Sequence, residues 1–307
     1  MSLLVAIANR NTDKLQSMLK QQLGEQQVQV WPDIEDAAAI DMVLGWQVSA
    51  EVFSALPNLK AVSSFGAGVD GLNLDAIADH VSVTRIVDNE LAADMAEYVL
   101  TQVLLHKSHM PRYWRQQSSK QWRAKRVRAH NRVGLLGYGQ LGSAIAQRLA
   151  ANGFTIKAWS NSEKPDTATV THFCGDSGLN EMLAHVDFLV CILPLTAKTR
   201  NIIDAELLAK LPAHAVLINV GRGEHVCERA LQTALSKHTL GGATLDVFRQ
   251  EPLPEESPLW HQENLILTPH CSALSRIETV VEQVVDNYQR LQSGQTLKHL
   301  ISRERAY

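Results

Sequence analysis

The sequence has few of the features that mark secreted, metal-stabilised or membrane proteins. Its 307 residues include four cysteines, none of them in a C-x-x-C pair, so neither a disulfide scaffold nor a structural metal site is expected. The N-terminal apolar run has no basic residues before it, unlike a secretion signal. Every apolar run is shorter than the roughly 18 residues of a membrane-spanning helix. These absences predict a protein of the cytoplasm with no membrane partner.

A large excess of one charge is also missing. The chain has 29 Lys and Arg against 32 Asp and Glu, a net charge of −3, which disfavours binding to nucleic acid through overall positive charge. One local exception is the segment 107–132, which holds nine Lys and Arg, no acid, and the aromatic residues Tyr113, Trp114 and Trp122. A nucleic-acid site is one interpretation of this segment. We favour a polar connector that follows a helix ended by Pro111, or an attraction for small anions.

What the sequence does contain is an alternation of short apolar runs with amphipathic stretches. The runs predicted as strands are 3–8, 28–31, 42–46, 59–65, 81–85, 133–136, 155–159, 188–193, 215–220, 243–247 and 265–268. The stretches predicted as helices are 12–23, about 93–110, 143–152, 204–211 and about 276–292. Strands alternating with helices at this spacing are typical of α/β domains with parallel sheets. A length of 307 residues is sufficient for two such domains.

A glycine-rich turn, Gly137-Tyr-Gly139-Gln-Leu-Gly142, lies between a predicted strand and a predicted helix. In this context Gly137 permits a tight turn, Gly139 lets the backbone approach a pyrophosphate, and Gly142 allows close packing of helix on strand. The N–H groups of Gln140 and Leu141 then lie at the helix N-terminus, where phosphates bind. The turn predicts a dinucleotide site.

The residues after the next predicted strand bear on the choice of dinucleotide. Dinucleotide folds usually place an acid there for the ribose 2′-hydroxyl, whereas this chain has Ser160. A 2′-phosphate could accept hydrogen bonds from Ser160, Asn161, Ser162 and Lys164, so NADP(H) is favoured. Glu163 stands close by and keeps NAD(H) as the alternative.

Three further predicted strands end in residues with useful chemistry: Arg222 in Asn-Val-Gly-Arg-Gly, Glu251 shortly after Leu-Asp-Val-Phe, and His270 in Thr-Pro-His. The carboxyl ends of parallel strands line the ligand crevice of a doubly wound sheet, so these side chains are expected to converge. An imidazole changes its charge near neutral pH and suits a proton donor. A carboxylate can orient it, and a planar guanidinium suits a bidentate grip on a carboxylate.

Taken together, these segments resemble the D-isomer-specific 2-hydroxyacid dehydrogenases over essentially the whole chain. The motifs that carry the resemblance are Phe65-Gly-Ala-Gly-Val-Asp70, the glycine-rich turn, Leu193-Pro-Leu-Thr196 with Thr199, Asn219-Val-Gly-Arg-Gly223, Glu251-Pro-Leu253 and Pro269-His270. Trp46, Trp159-Ser160, Gly223-Glu-His-Val226 and the segment 251–260 look most like the glyoxylate/hydroxypyruvate reductase subgroup. The resemblance implies reduction of small 2-keto acids by a homodimer.

The resemblance also implies roles for individual residues. Catalysis would rest on Arg222, Glu251 and His270, with His270 as general acid. Substrate contacts would come from Trp46, Ala67, Gly68 and Val69 together with Arg222. Further cofactor contacts would come from Leu193, Pro194, Thr199, Val220, Gly221 and Asp246. The substrate domain would consist of 1–98 and 275–307, with a flavodoxin-like sheet, and 99–274 would be a Rossmann-type nucleotide domain.

The chain departs from the family pattern at three places outside the catalytic residues. Asn161 and Glu163 stand where NADP-using relatives tend to have basic residues. Val186 replaces a small residue before Asp187, and His214 stands where a small or polar turn residue is more common. Two alternatives to the reductase remain at this stage. One is a D-2-hydroxyacid dehydrogenase with another substrate range, and the other is a dinucleotide-sensing corepressor of the same fold. No metal ion is expected, because the residues around His106 and His109 include no further ligand.

Overall fold

The computed structural model describes residues 1–127 and 129–303. The chain divides into two compact units, Met1–Asn89 with Ser275–Tyr307, and Glu90–Leu274. Residues 304–307 of the predicted substrate domain and Arg128 of the basic segment lie outside the described residues.

The first unit contains five strands and three helices in its described part. The strands are β1 Ser2–Ile7, β2 Val28–Val30, β3 Ile40–Trp46, β4 Ala61–Ser64 and β5 Ser82–Thr84, and the helices are α1 Asp13–Leu23, α2 Ala50–Ser54 and α9 Ile277–Gln292. The sheet is parallel with the order β2-β1-β3-β4-β5, which is the flavodoxin-like order. Helix α9 buries four valines and Tyr288 among the apolar side chains of β1, β3 and α1, which ties the C-terminal segment to this unit.

The second unit contains seven strands and six helices in its described part. The strands are β6 Arg132–Leu136, β7 Thr155–Ser160, β8 Val170–Cys174, β9 Phe188–Cys191, β10 Val216–Asn219, β11 Gly242–Leu245 and β12 Leu265–Leu267. The helices are α3 Asn89–Lys107, α4 Met110–Ser118, α5 Gln140–Ala151, α6 Gly175–Leu183, α7 Ala205–Lys210 and α8 Glu228–Ser236. All pairs are parallel, in the order β12-β11-β10-β9-β6-β7-β8. The order reverses between β6 and β9, where a doubly wound sheet binds its ligand.

Both faces of the second sheet are covered, as the continuous apolar runs predict. The side chains of β9 are buried throughout, and they alternate between two apolar clusters. Leu189 and Cys191 face one cluster, whereas Phe188 and Val190 face the other. Each fully buried Leu, Val or Phe contributes about 1.5–3 kcal/mol to stability. The predicted α/β fold class with two parallel sheets is therefore confirmed.

The predicted helical stretches lack α2, α6 and α8. Three further differences concern strand β8, Pro111 and the boundary between the units. Strand β8 was not predicted, because Val170–Cys174 is short, half polar and at the edge of the sheet. Pro111 does not end a helix. Helix α3 ends at Lys107, His109 adopts a left-handed conformation with φ of 61°, and Pro111 lies in the first turn of α4, where the missing N–H of proline costs little.

The third difference concerns the first boundary between the units. It falls at Asn89/Glu90, at the start of α3, and not within this helix at 98/99. The reason is packing, because Met95, Ala96, Val99 and Val103 of α3 join the apolar cluster of the second unit. Among the described residues, the structure contains no helix that is long and apolar enough to span a membrane.

Candidate active site

The glycine-rich turn connects β6 to α5 at the reversal of strand order. Gly137 has a φ of +106°, and a Cβ there would lie 2.9 Å from the carbonyl oxygen of Ile192, so a side chain is excluded. A Cβ at Gly142 would collide with the carbonyl oxygen of Gly137. At Gly139, by contrast, no heavy atom of the described residues outside its immediate neighbours lies within 4 Å of the Cβ position. The turn therefore leaves open space in front of the N-terminus of α5, which suits a phosphate group.

The end of β7 lies beside this turn. Ser160 donates through Oγ to the carbonyl of Ser162 at 2.8 Å, and Asn161 is exposed. Lys164 donates through Nζ to the carbonyl of Tyr138 at 2.7 Å and lies 5.4 Å from the centre of the Tyr138 ring. A positive charge is thus held against the glycine-rich turn.

His172 of β8 completes this corner, with its ring edge-on to Tyr138 at a centroid distance of 4.5 Å. Burial lowers the pKa of His172, which favours a neutral ring. Sequence reasoning missed both His172 and Tyr138 as neighbours of the cofactor residues, because their meeting depends on β8 pairing with β7.

The loops after β9 and β10 are joined by a buried histidine. His225 is fully buried; its Nδ1 accepts from the N–H of Arg222 at 3.0 Å, so Nε2 carries the proton and donates to the carbonyl of Pro194 at 3.3 Å. Thr199 also donates to Pro194, at 2.7 Å. The predicted cofactor residues Leu193, Pro194, Thr199, Val220 and Gly221 therefore belong to one connected pair of loops. The sequence motif contains His225, but only the structure shows that it links the loops.

Arg222 is held at the end of β10. Asn219 donates through Nδ2 to the carbonyl of Arg222 at 2.8 Å. The guanidinium of Arg222 donates through Nη1 to the carbonyl of Gly221 at 2.7 Å. The side chain is half-buried. Asn219 thus fixes the backbone of Arg222, and the bond to Gly221 fixes one nitrogen of its planar guanidinium.

Glu251 and His270 form a direct pair. His270 Nδ1 lies 2.7 Å from Glu251 Oε2, and each side chain is 35% exposed. Glu251 Oε1 accepts from the N–H of Phe248 at 2.9 Å. Burial raises the pKa of Glu251. The hydrogen bonds from His270 and Phe248 and the charges of His270 and Arg222 lower it by more, so the net pKa is below its usual value. The structure thus couples Arg222, Glu251 and His270 in one corner.

Asp246, which the resemblance assigns to the cofactor, is fully buried at the end of β11. Its carboxylate accepts hydrogen bonds from Thr268 and from the N–H groups of Cys271 and Ser272. These contacts lie on the segment that carries His270, so the structure places Asp246 against the backbone of this segment.

Apart from Arg222, the predicted substrate residues lie in the first unit. Trp46 ends β3, and its ring packs so closely on Gly71 that a Cβ there would lie 2.6 Å from the indole. In the loop after β4, Ser64 donates to the carbonyl of Gly68 at 2.6 Å and Arg85 donates to the carbonyl of Ala67 at 3.4 Å. Val69 is buried. Trp46 and the 67–69 loop therefore form one cluster, to which the structure adds Arg85.

Comparisons with known proteins extend over the whole chain. A family model described as the NAD binding domain of D-isomer specific 2-hydroxyacid dehydrogenases matches residues 100–272. Glyoxylate/hydroxypyruvate reductase A of Yersinia enterocolitica is 35% identical over 281 residues, which is 89% of this chain and 89% of that protein.

Two solved structures are similar over almost their entire length. A D-isomer specific 2-hydroxyacid dehydrogenase from Xanthobacter autotrophicus Py2, in complex with NADPH and MES, has a TM-score of 0.92, 36% identity, and coverage of 100% of this chain and 99% of that one. An NADPH-dependent glyoxylate/hydroxypyruvate reductase from Sinorhizobium meliloti, in complex with NADP and sulfate, has a TM-score of 0.91, 34% identity, and coverage of 100% of both chains.

Two parallel α/β units, a glycine-rich turn at a strand reversal and a His–Glu pair beside an arginine define an oxidoreductase of the Rossmann type. With the comparisons, the assignment becomes narrower. The chain belongs to the D-isomer specific 2-hydroxyacid dehydrogenase family. The resemblance to this family and to its glyoxylate/hydroxypyruvate reductases is confirmed.

Proposed function

We propose that the protein reduces glyoxylate to glycolate and hydroxypyruvate to D-glycerate, with NADP(H) as the preferred hydride donor. The observation that carries this proposal is the 2.7 Å contact between His270 Nδ1 and Glu251 Oε2, in the same corner as Arg222. This arrangement offers a positioned acid and a carboxylate-binding cation, which are the two groups that reduction of a 2-keto acid requires of the protein.

The roles follow from the contacts. A bound nicotinamide cofactor supplies the hydride. His270 engages Glu251 through Nδ1, so Nε2 is the nitrogen that donates a proton to the carbonyl oxygen of the substrate. Glu251 stays ionised because its pKa is lowered, so its carboxylate accepts from His270 Nδ1 and orients the ring. Arg222 binds the substrate carboxylate and polarises the keto oxygen through its planar donors. N–H groups of Ala67, Gly68 and Val69 bind a carboxylate oxygen, and Trp46 limits the size of the substituent.

The preference for NADP(H) rests on residues beside the glycine-rich turn. Ser160 ends β7 and Asn161 follows it. Lys164 places its ammonium group against the Tyr138 carbonyl. No carboxylate stands at the position of Ser160 to repel a 2′-phosphate. The similar proteins from Xanthobacter autotrophicus and Sinorhizobium meliloti were solved with NADPH and NADP, respectively, which supports the same choice here.

The test is a panel of initial rates. NADPH and NADH oxidation are followed with glyoxylate, hydroxypyruvate, pyruvate and one branched 2-keto acid. We expect glyoxylate and hydroxypyruvate to give the highest kcat/KM, and NADPH to exceed NADH. A Ser160→Asp variant should lower the ratio of NADPH to NADH activity. Ser160→Asn, which has a similar volume and no charge, is its matched control and should leave the ratio near that of the wild type. Activity with the larger acids alone would favour a D-2-hydroxyacid dehydrogenase with another substrate range. Cofactor binding without turnover would favour a dinucleotide-sensing corepressor.

We also propose a homodimer in the cytoplasm that binds neither nucleic acid nor membranes. Four large apolar side chains are exposed within and around α3 and α4: Leu104 at 44%, Trp114 at 44%, Trp122 at 100% and Val127 at 54%. A second copy of the chain would remove them from water. The four cysteines are free thiols, which suits a reducing compartment. Light scattering after gel filtration tests the dimer, and a single-copy mass would contradict it.

A further inference from the structure

The backbone that carries His270 wraps around Asp246. The N–H of His270 donates to the main-chain carbonyl of Asp246 at 2.8 Å. The next two N–H groups donate to its carboxylate, Cys271 to Oδ1 at 3.0 Å and Ser272 to Oδ2 at 2.9 Å. Three successive donors of the chain therefore end on one buried residue.

This wrapping holds His270 in an unfavourable conformation. His270 has a φ of +52°, in the left-handed region that residues with a Cβ adopt only when the surroundings require it. The three hydrogen bonds to Asp246 hold the backbone in this conformation. The His270 N–H also donates to the Thr268 carbonyl, at 3.0 Å. Glu251 fixes the imidazole ring, whereas Asp246 fixes the backbone from which the ring extends.

Asp246 is itself held by a chain of hydroxyl groups. Thr268 donates through Oγ1 to Asp246 Oδ1 at 2.6 Å, and Tyr98 Oη lies 2.6 Å from the same Thr268 oxygen. A threonine hydroxyl has one proton, which goes to Asp246, so Tyr98 must be the donor to Thr268. Burial raises the pKa of Tyr98 well above its usual value, which keeps the phenol protonated in this role.

We propose that Tyr98, Thr268 and Asp246 form a positioning network that sets the orientation of His270 for proton transfer. The network links α3 to the end of β12 and through Asp246 to the His270 backbone. It rests on the proposed function, because it assigns the network a role in turnover through His270. None of the three residues is given a direct part in the chemistry.

Variants that remove one hydroxyl and keep the volume test the network. Thr268→Val and Tyr98→Phe interrupt it, whereas Thr268→Ser keeps the hydroxyl and serves as the conservative rescue. Thr244→Val is the matched control, since Thr244 is also buried in the second unit and also bonds to α3, through His106 Nε2 at 2.9 Å. It has no described contact with the 268–272 segment.

The measurements are kcat, KM, the dissociation constant of NADPH, the pH profile of kcat and the thermal midpoint. Loss of one hydrogen bond is expected to lower kcat about three- to tenfold in Tyr98→Phe. Thr268→Val, which also deprives the buried carboxylate of a donor, should lower kcat about ten- to a hundredfold. Thr268→Ser should stay within about twofold of the wild type. The alkaline limb of the pH profile should move in Thr268→Val, and NADPH binding should not change.

Two results overturn the network. In the first, Thr268→Val and Thr244→Val both lower the thermal midpoint and leave kcat and its pH profile unchanged, which makes the role purely structural. In the second, Thr268→Val weakens NADPH binding at constant kcat, which assigns the residues to the cofactor.

Failure of the proposed function is recognised separately, because the wild type would then reduce no 2-keto acid. The network is tested in that case by the imidazole NMR signals of His270, identified by their loss in His270→Asn. They should shift in Thr268→Val and not in Thr244→Val, and unchanged signals in both variants would overturn the network.

Discussion

The two edges of the seven-stranded sheet each carry a histidine paired with a carboxylate. At the carboxyl edge, His270 and Glu251 are 2.7 Å apart and each is 35% exposed. At the amino edge, His214 Nε2 lies 2.9 Å from Asp187 Oδ1, with the carboxylate 1% exposed and the imidazole 38%. The residue types and distances are nearly the same, yet the surroundings assign the two pairs to different tasks.

The difference lies in how many donors the carboxylate already accepts. Asp187 Oδ2 accepts from the N–H groups of Asn131 and Arg132 and from Arg132 Nε, and its Oδ1 accepts from Arg132 Nη2 at 2.6 Å as well as from His214. Glu251 accepts from one main-chain N–H in addition to His270. Burial raises the pKa of Asp187, but the bonds from Arg132 and His214 outweigh it, and the net value is well below normal.

Asp187 thereby joins the starts of β6, β9 and β10 in a fixed ionic cluster. His130 packs on His214 with ring centroids 4.0 Å apart, and ligand atoms of His130, Asp187 and His214 lie within 4.8 Å of one another. The set resembles a group of metal ligands, but both Asp187 oxygens are already engaged by Arg132. A His–carboxylate pair therefore indicates catalysis only when the carboxylate is not already occupied by structural hydrogen bonds.

The largest effect should come from His270→Asn, which removes the proton donor and keeps a polar side chain. We expect kcat to fall by about 10²–10⁴-fold, the usual contribution of a positioned general acid. Steady-state rates and a thermal melt check this prediction, and the melting midpoint should stay near that of the wild type. Near-normal turnover in this variant would remove His270 from the chemistry.

Asp187→Asn should produce the opposite pattern. Loss of charged hydrogen bonds should lower the free energy of unfolding by about 2–3 kcal/mol, with kcat per folded molecule unchanged. Because the folded pKa is below the ordinary 3.8, this contribution is complete above that value and is lost as the pH falls through the folded pKa. Urea melts at pH 7 and pH 3 should therefore differ more for the wild type than for the variant. A fall in kcat with no loss of stability would contradict a purely structural role for Asp187.

Glu251→Gln should have an intermediate effect on turnover. The amide keeps the volume but removes the charged acceptor of the His270 hydrogen bond, so kcat should fall about tenfold, the equivalent of one lost charged interaction. Steady-state rates of both enzymes measure the fall, and a kcat equal to that of the wild type would argue against the pairing.

The smallest effect is expected for His214→Asn. The imidazole is a partly exposed partner of an already satisfied carboxylate, so its loss should cost about 0.5–1 kcal/mol of stability and leave kcat unchanged. Comparison with His270→Asn in the same assays gives a direct contrast of the two histidines. A change in turnover comparable to that of His270→Asn would mean that the amino edge takes part in function.

Much of the fold could be predicted because it depends on local patterns. The apolar run around Phe188 predicts a strand buried on both faces, and the glycine-rich turn predicts the crossing from β6 to α5. The meeting of Glu251 with His270 follows from the rule that strand ends of a doubly wound sheet converge. The roles of residues whose partners are distant in sequence could not be predicted in this way. His214 stands out only as an unusual turn residue, since Asp187 is 27 positions away.

The same limit applies to Tyr98. Its hydroxyl meets Thr268 across 170 positions, and in the sequence it is one more aromatic residue on a helix. His225 shows an intermediate case. The motif that contains it is visible, but its two ring nitrogens connect the loops after β9 and β10, which no spacing along the chain indicates.

The three glycines of the turn differ in what requires them. A side chain at Gly137 or Gly142 would strike the protein's own backbone, whereas the described surroundings of Gly139 leave room for one. The described fold therefore does not require a glycine at position 139, whereas the proposed nucleotide would. If a descendant of this protein stopped using its nucleotide, mutations could accumulate first at Gly139 while the domain kept its shape. A relative with a bulky residue at this position and glycines at the other two would be expected to keep the fold and to have lost nucleotide binding.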